Sequence, residues 1–335
     1  MVNANETKAR SVGKILMTLA AIAILLVAVP VLLKGQPYVF HILIITMFNI
    51  VLALSLGLIM RTGQVPLCQA AFAGIGAYTS TILVMKVHLS FWVSLPLAGI
   101  AAGIIGFLIG LPTLNIKGIH FALATFAFGE ILRLIFIGWV SLFGGANGIS
   151  GIPAPDPIRI PFLFTMEFES KSAYYYLALI LLLLALVVFY RLWYSPFGRA
   201  CKAIEESEAL SECTGISAMK YKIMAFTTAT FFAGLVGCLY AHYAHFVGPQ
   251  EFGFWTSVRY IVFVIIGGVG TYIGPIAGAV FLTFLPEFLR VAEAWEVVIY
   301  GLVLMLTIHF FPKGIKGLGD DLYSRFSKLQ KGAIT

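Results

Sequence analysis

Few side chains in this 335-residue sequence could do chemistry, and they form no catalytic set. Glu130 is the one acid deep in an apolar run, in Phe128-Gly129-Glu130-Ile131-Leu132-Arg133. Arg133 follows at i+3, on the same face of a helix, where each charge can neutralise the other. An acid inside a membrane span otherwise marks a gate or a relay, so a structural pair and a gate both stand as readings. His242 and His245 share the i, i+3 spacing, which suits a metal pair or an anchor at the membrane–water boundary. Cys68, Cys201, Cys213 and Cys238 make no CxxC, and no histidine lies near Cys201 or Cys213. Free thiols in a reducing compartment are expected, with no metal site. The sequence has no GxxxxGKS/T loop to cradle ATP phosphates, no GxSxG turn and no HExxH helix. Coupling to protons or sodium normally needs unpaired acids within spans, and only Glu130 and Glu287, near a span end, qualify. The energy source is therefore expected outside the chain.

The elements that must hold these residues are membrane helices. The chain is 60% hydrophobic and 11% charged, with a mean hydropathy of +0.96, against about 25% charged in soluble domains. Its apolar runs are continuous, which fits helices that satisfy their own backbone and not the alternation of a barrel. Spans are expected at 15–33, 38–60, 65–86, 91–111, 117–137, 173–193, 219–245, 256–270, 272–289 and 295–311. The expected fold is all-α and polytopic, with about 8–10 transmembrane helices. The pair 256–270 and 272–289 is broken by Gly267-Gly268-Val269-Gly270, either as a turn in water or as a broken helix within the membrane. Lys8, Arg10 and Lys14 precede the first span, which is longer than a signal segment and lacks a small-x-small cleavage pattern. It reads as retained.

Charge sets the orientation. With ten spans and the N-terminus inside, fifteen lysines and arginines fall inside and seven outside, accounting for all 22. The positive-inside rule then puts both termini and the 194–218 loop in the cytoplasm and 138–172 outside. The division is a tail over 1–14, one transmembrane domain over 15–318 and a tail over 319–335. No basic cluster is interleaved with exposed aromatics, so nucleic acid is not a partner; membrane lipid is.

The most polar stretch is the 194–218 loop. Ser195-Pro196 is a helix start and Gly215 a stop, with helical character over 200–214. Ala203, Ile204, Ser207, Leu210 and Ser211 share one face, while Glu205, Glu206, Glu208 and Glu212 cover the rest. Such a helix is either a solvated connector or a surface that a soluble partner grips. Within the spans, small residues recur at Gly99/Gly103, Gly106/Gly110 and Gly274/Gly278, and Ala70, Ala71, Ala73, Gly74, Gly76 and Ala77 crowd the third. They allow close helix approach. Gly63-x-Val65…Ala73-Gly74 is echoed by Gly267-x-Val269…Ala277-Gly278, a faint internal repeat.

Seven motifs in order carry a family resemblance over about residues 40–318. They are Gly63-Gln64-Val65…Ala70-Ala71-Phe72-Ala73-Gly74-Ile75-Gly76-Ala77-Tyr78, Phe128-Gly129-Glu130-Ile131-Leu132-Arg133, and Gly144-Gly145-Ala146-Asn147-Gly148-Ile149-Ser150-Gly151-Ile152-Pro153. Gly198-Arg199-Ala200…Ala203-Ile204, Tyr221-Lys222…Phe231-Phe232-Ala233-Gly234-Leu235, Gly267-Gly268-Val269-Gly270 and Pro312-Lys313-Gly314-Ile315 complete them. The chain resembles the permease subunits of bacterial branched-chain amino acid ABC transporters, the LivM-like subunits in particular. The resemblance implies an inner-membrane transport subunit, not an enzyme, with no cofactor of its own. ATP and Mg would be hydrolysed by two cytoplasmic ATPase subunits. A homologous second permease and a periplasmic binding protein would complete the assembly. The 194–218 loop would be the helix that docks on the ATPase, through Gly198, Arg199, Ala203, Ile204, Glu205, Leu210, Glu212 and Gly215. Helix packing or the translocation path would use Gly63, Gln64, Gln69, Gly74, Gly76, Tyr78, Glu130, Arg133, Gly267, Gly268, Gly270 and Gly274. The chain departs from the family at Leu210-Ser211, where paired alanines are usual, at Cys68-Gln69, where Gly-His is usual, and at Leu114–Gly118. Branched-chain amino acids are the implied cargo. Urea or short amides in a sister family, a self-contained channel or secondary carrier, and a membrane-bound enzyme are the other readings.

Overall fold

A computed structural model describes residues 37–160, 164–166 and 170–289, with 301 and 305. The expected spans at 15–33 and 295–311, the tails and the Pro312–Ile315 motif lie outside them. The elements are α1 (Pro37–Met60), α2 (Gln69–Met85), α3 (Phe91–Thr113), α4 (Ile119–Gly138), the short α5 (Val140–Phe143), α6 (Lys171–Tyr194), α7 (Pro196–Glu206), α8 (Glu208–Cys213), α9 (Ala218–Ala244), α10 (Phe254–Gly267) and α11 (Ile273–Leu289). Among the described residues, strands are confined to two short antiparallel pairs: β1 (Ile149–Ser150) with β4 (Phe246–Val247), and β2 (Ile158–Ile160) with β3 (Phe164–Met166).

All eight spans expected within the described residues are helices. Five of them, α1, α3, α4, α6 and α9, are long and apolar enough to cross a membrane. The other three are shorter, with 17 residues in α2, 14 in α10 and 17 in α11. The turn expected between 60 and 65 is longer than the hydropathy suggests. Gly63 sits at φ 77°, and the chain runs irregularly to Cys68 before α2 begins.

The bundle is organised around α1, whose apolar window is 83% buried, against 17% for the peripheral α4. Helix α9 lies between α2 and α3, and glycine permits the fit. A Cβ on Gly76 of α2 would land on the backbone of Gly234, and one on Gly237 would land on the backbone of Ala73. On the other side of α9, a Cβ on Gly234 would come within 2.7 Å of the Ala98 carbonyl of α3. Without a hydrophobic drive between helices in lipid, such backbone approach supplies the dispersion contact that holds them. Buried polar side chains add cross-links, among them Gln69 Nε2 to Ser55 Oγ at 2.7 Å and the Ala70 amide to Ser257 Oγ at 3.1 Å.

The broken pair resolves into a helical hairpin. Helix α10 ends at Gly268 (φ 112°), Gly270 takes φ 81°, and α11 starts three residues on. Gly267 meets the Gly274 backbone and Gly278 meets the carbonyl of Phe263, an antiparallel register that any Cβ would push apart.

At the end of the bundle where α9 finishes, the segment after α5 is strapped down. Asp156 Oδ2 accepts from Ser90 Oγ at 2.6 Å and from the Phe91 amide at 2.9 Å, so a distant carboxylate satisfies a free N–H of α3. His242 and His245 hold the same segment from α9, through the carbonyls of Pro153 (2.7 Å) and Ile152 (2.8 Å).

Candidate functional site

The polar end of the bundle gathers the ends of α1 and α3, the α7–α8 segment and the α10–α11 turn. Arg61 is its hub. Only 8% exposed, it donates from Nε to the Gly198 carbonyl at 3.0 Å and from a guanidinium nitrogen to the Gly270 carbonyl at 3.4 Å. Its guanidinium also lies 4.5 Å from the Trp193 ring centroid. One side chain thus ties α1 to the start of α7 and to the hairpin turn. Gly198 belongs at this junction because a Cβ there would strike the carbonyls of Leu192 and Trp193.

The expected single helix over 200–214 is two. Ser195 caps α7 by accepting from the Gly198 amide, with Pro196 at the first position. Ser207 then adopts an extended backbone (φ −161°, ψ 111°) and caps α8 by accepting from the Leu210 amide. The break rotates the two halves, and this corrects the expected shared face. Ile204 is buried against the chain itself at 3% exposure, Ala203 is half-buried, and Leu210 is 70% exposed. Ile204 is therefore spent on holding α7 to the bundle. Leu210 remains the outward apolar group, among exposed Ala209, Glu212, Cys213 and Thr214. Gly215 closes α8 at φ 85° with nothing within 4 Å of its missing Cβ, so its backbone angle and not space is what favours glycine.

A second link fixes α8. Glu208 pairs through one oxygen with Lys222 of α9 at 2.8 Å and through the other with Lys117 at 2.9 Å. The Lys222 side chain is 3% exposed, whereas that of Lys117 is 69% exposed. Burial alone would raise the Glu208 carboxyl, but the hydrogen bonds from Lys222 and Lys117 outweigh it and hold the group below the ordinary range. Glu205 faces the opposite balance. Burial pushes its carboxyl up, and the nearby Arg61 charge draws it only part of the way back. Gly63, at the end of α1, lies 3.5 Å by its missing Cβ from Glu205 Cα. Arg199 reaches the Tyr194 carbonyl at 3.4 Å.

The remaining sequence-derived positions separate into packing and pairing. Gln64 is buried, with Nε2 reaching the Ile116 carbonyl at 3.3 Å and Oε1 without a partner. Gly74 admits the Phe252 ring, and Tyr78 stacks in a cluster with Phe136 (4.4 Å), Phe143 (5.2 Å) and Phe252 (6.3 Å). Glu130 and Arg133 form the expected ion pair, at 2.7 Å and about one quarter exposed each. His242 is buried and bonded on both ring nitrogens, to Ser80 Oγ and the Pro153 carbonyl, which leaves it no free nitrogen for a metal. No group of three or more metal-ligating residues occurs among the described residues. Three of the cysteines are buried; Cys213 alone is exposed.

Sequence reasoning missed Arg61 and the Glu208 clamp. Their partners lie 137 residues away for Gly198 and 14 for Lys222. The local signal for Arg61 was a single cation at the foot of the most apolar span; the one for Lys222 was a lysine inside the first turns of another.

A family model described as the permease component of branched-chain amino acid transport systems matches residues 38–308. The high-affinity branched-chain amino acid transport system permease protein LivM of Escherichia coli (strain K12) is 32% identical over 315 residues, 89% of this chain and 74% of the relative. A probable branched-chain amino acid transport permease LivM of Methanocaldococcus jannaschii is 24% identical over 65% of this chain and 67% of its own. The autoinducer 2 import system permease protein LsrC of Salmonella paratyphi B is 27% identical over 77% and 73% respectively. No solved structure matches the chain.

Proposed function

The chain belongs to the permease family of branched-chain amino acid transport systems, and from that premise we propose that it is one membrane half of an ATP-driven importer for leucine, isoleucine and valine. It is a membrane-embedded permease component and works with other subunits of its transport system. A second permease would complete the pore, two ATPase subunits would supply the energy and a binding protein outside the membrane would deliver cargo. The observation that carries the reading is the α7–α8 segment. Arg61 fixes α7 and Glu208 fixes α8 to the rest of the bundle, yet Leu210 on α8 is left 70% exposed. A connector has no need of so rigid a mount for an outward leucine. A helix that receives force from a soluble partner does.

Interface anchors of this kind cost about 2 kcal/mol or more when disrupted. Leu210→Asp is expected to keep the chain in the membrane and to lower both copurification of the ATPase subunits and leucine uptake. Unchanged copurification with unchanged uptake would make α7–α8 a connector only.

The same reading sets the orientation. The end bearing α7 and α8 faces the cytoplasm of a cell whose inner membrane holds the chain, in keeping with the excess of lysine and arginine at that end. Cys213 reports it, since the other three thiols are buried. A membrane-impermeant maleimide is expected to leave Cys213 unlabelled in intact spheroplasts and to label it in inside-out vesicles. Labelling from the outside of intact cells would reverse the topology.

A further inference from the structure

A cavity of about 330 Å³ lies between α1, α9, α10 and the 249–252 turn. That volume is at the small end of the roughly 300–1,000 Å³ typical of small-molecule sites. It runs from the turn to the middle of α1, where Asn49 lines it and donates to Thr283 Oγ1 at 3.0 Å. Three kinds of group meet there. Phe48, Leu52 and Val236 give an apolar wall, Glu251 an acid and Arg259 a base.

The two charges are not paired with each other or with another charge among the described residues. Glu251 Oε2 is enclosed and has no hydrogen-bond partner, a costly state for a carboxylate oxygen. Burial pushes this carboxyl above the ordinary range, and a hydrogen bond with Tyr240 draws it partly back. Arg259 is exposed, about one and a half turns into α10. A guanidinium on a membrane helix is expensive against lipid and belongs beside a water-filled path. An unpaired acid and base lining one cavity with apolar side chains are complementary to one class of small solute.

We propose that this cavity is a subsite of the translocation path for a free α-amino acid zwitterion with an apolar side chain. The Arg259 guanidinium donates to the substrate carboxylate. The substrate ammonium donates to the Glu251 carboxylate, which lines the cavity. The branched side chain lies on Phe48, Leu52 and Val236. A neutral solute such as urea leaves both charges unmet, so the pair also selects cargo. The assignment rests on the importer reading, among whose relatives are permeases named for branched-chain amino acids.

Thr256 lines the same cavity and is half-buried, which makes it a reporter. The experiment uses the whole complex, purified from membranes, with Thr256→Cys in a Cys213→Ser background. Maleimide labelling of the new thiol is followed with leucine, leucinol or urea present and no binding protein. Leucine is expected to slow labelling, while leucinol, which lacks the carboxylate, and urea do not. Arg259→Leu and Glu251→Gln are each expected to weaken that protection about tenfold, the loss of roughly one ion pair, and Arg259→Lys to restore part of it. Retained copurification with the other subunits establishes that the variants are folded. Protection by urea equal to that by leucine, or none by leucine in a complex that transports leucine, overturns the subsite alone. A complex that carries no leucine overturns the importer reading and the subsite with it.

Discussion

Gly76→Val is expected to leave little or no folded permease in the membrane. The hydrogen that Gly76 presents to α9 touches the backbone of Gly234, so a side chain has no flexible neighbour to displace. Gly234 has little room to retreat, because on its far side even an added Cβ would come within 2.7 Å of the Ala98 carbonyl. Overpacking a core costs about 1–3 kcal/mol when side chains can yield, and more when they cannot. Here α2, α9 and α3 would have to part together, and the loss is expected to reach about 3 kcal/mol or more, a large fraction of the stability of any domain. The check is the yield of monodisperse protein in mild detergent. Gly103→Ala is the control: its added carbon would meet nothing closer than 3.5 Å, and near-normal yield is expected. Equal yields from both variants would show that the glycine seam is not tight.

The second large effect is expected at Glu208→Gln. The change leaves the Lys222 ammonium, 3% exposed, without its counter-charge and releases Lys117. Breaking a sealed ion pair costs about 3–5 kcal/mol; water reaches Glu208, so about 2–3 kcal/mol is expected. Because α8 hangs on this clamp, ATPase copurification and uptake are expected to fall together. Adding Lys222→Met removes the stranded charge and is expected to recover much of the thermal stability without recovering α8 placement. Glu206→Gln is the control, since Glu206 is 69% exposed and 3.7 Å from its partner Lys202. It is expected to change stability by less than about 0.5 kcal/mol. The sign of the pH effect follows from the lowered Glu208 pKa. The clamp is fully present above the pKa of a free glutamate, about 4.3, and is lost as pH falls through the still lower folded value. Should Glu208→Gln match Glu206→Gln in both stability and copurification, the clamp has no mechanical role.

The spans were legible because twenty apolar residues in a row have one stable solution in lipid. The hairpin at 254–289 was legible only as a break, since Gly267–Gly270 fits a turn at either depth; the meeting of Gly267 with Gly274 and of Phe263 with Gly278 shows that the two helices fold back on each other. The Glu130–Arg133 pair was readable from i, i+3 spacing alone. The α7–α8 segment was readable as helical but not as two helices. Ser207 is a good N-cap residue, yet a serine inside an amphipathic pattern also fits a continuous helix, and the extended backbone at that one residue moved Ile204 inward and Leu210 outward. Arg61 was counted as a charge for topology. Its bonds to Gly198 and Gly270 join three segments distant in sequence, and no local period carries that. The Glu251–Arg259 cavity was hidden for the same reason: its walls come from α1, α9, α10 and the turn between the last two.

The most direct measurement is uptake of radiolabelled leucine by proteoliposomes that hold this chain with the subunits it copurifies with. Binding protein is supplied on one face and ATP on the other. Uptake is expected only when ATP is on the face that carries Cys213 and Leu210, with competition by isoleucine and valine but not urea, and with loss of uptake in Leu210→Asp. Leucine flux that proceeds without ATP, or that follows an ion gradient instead, would contradict an ATP-driven permease.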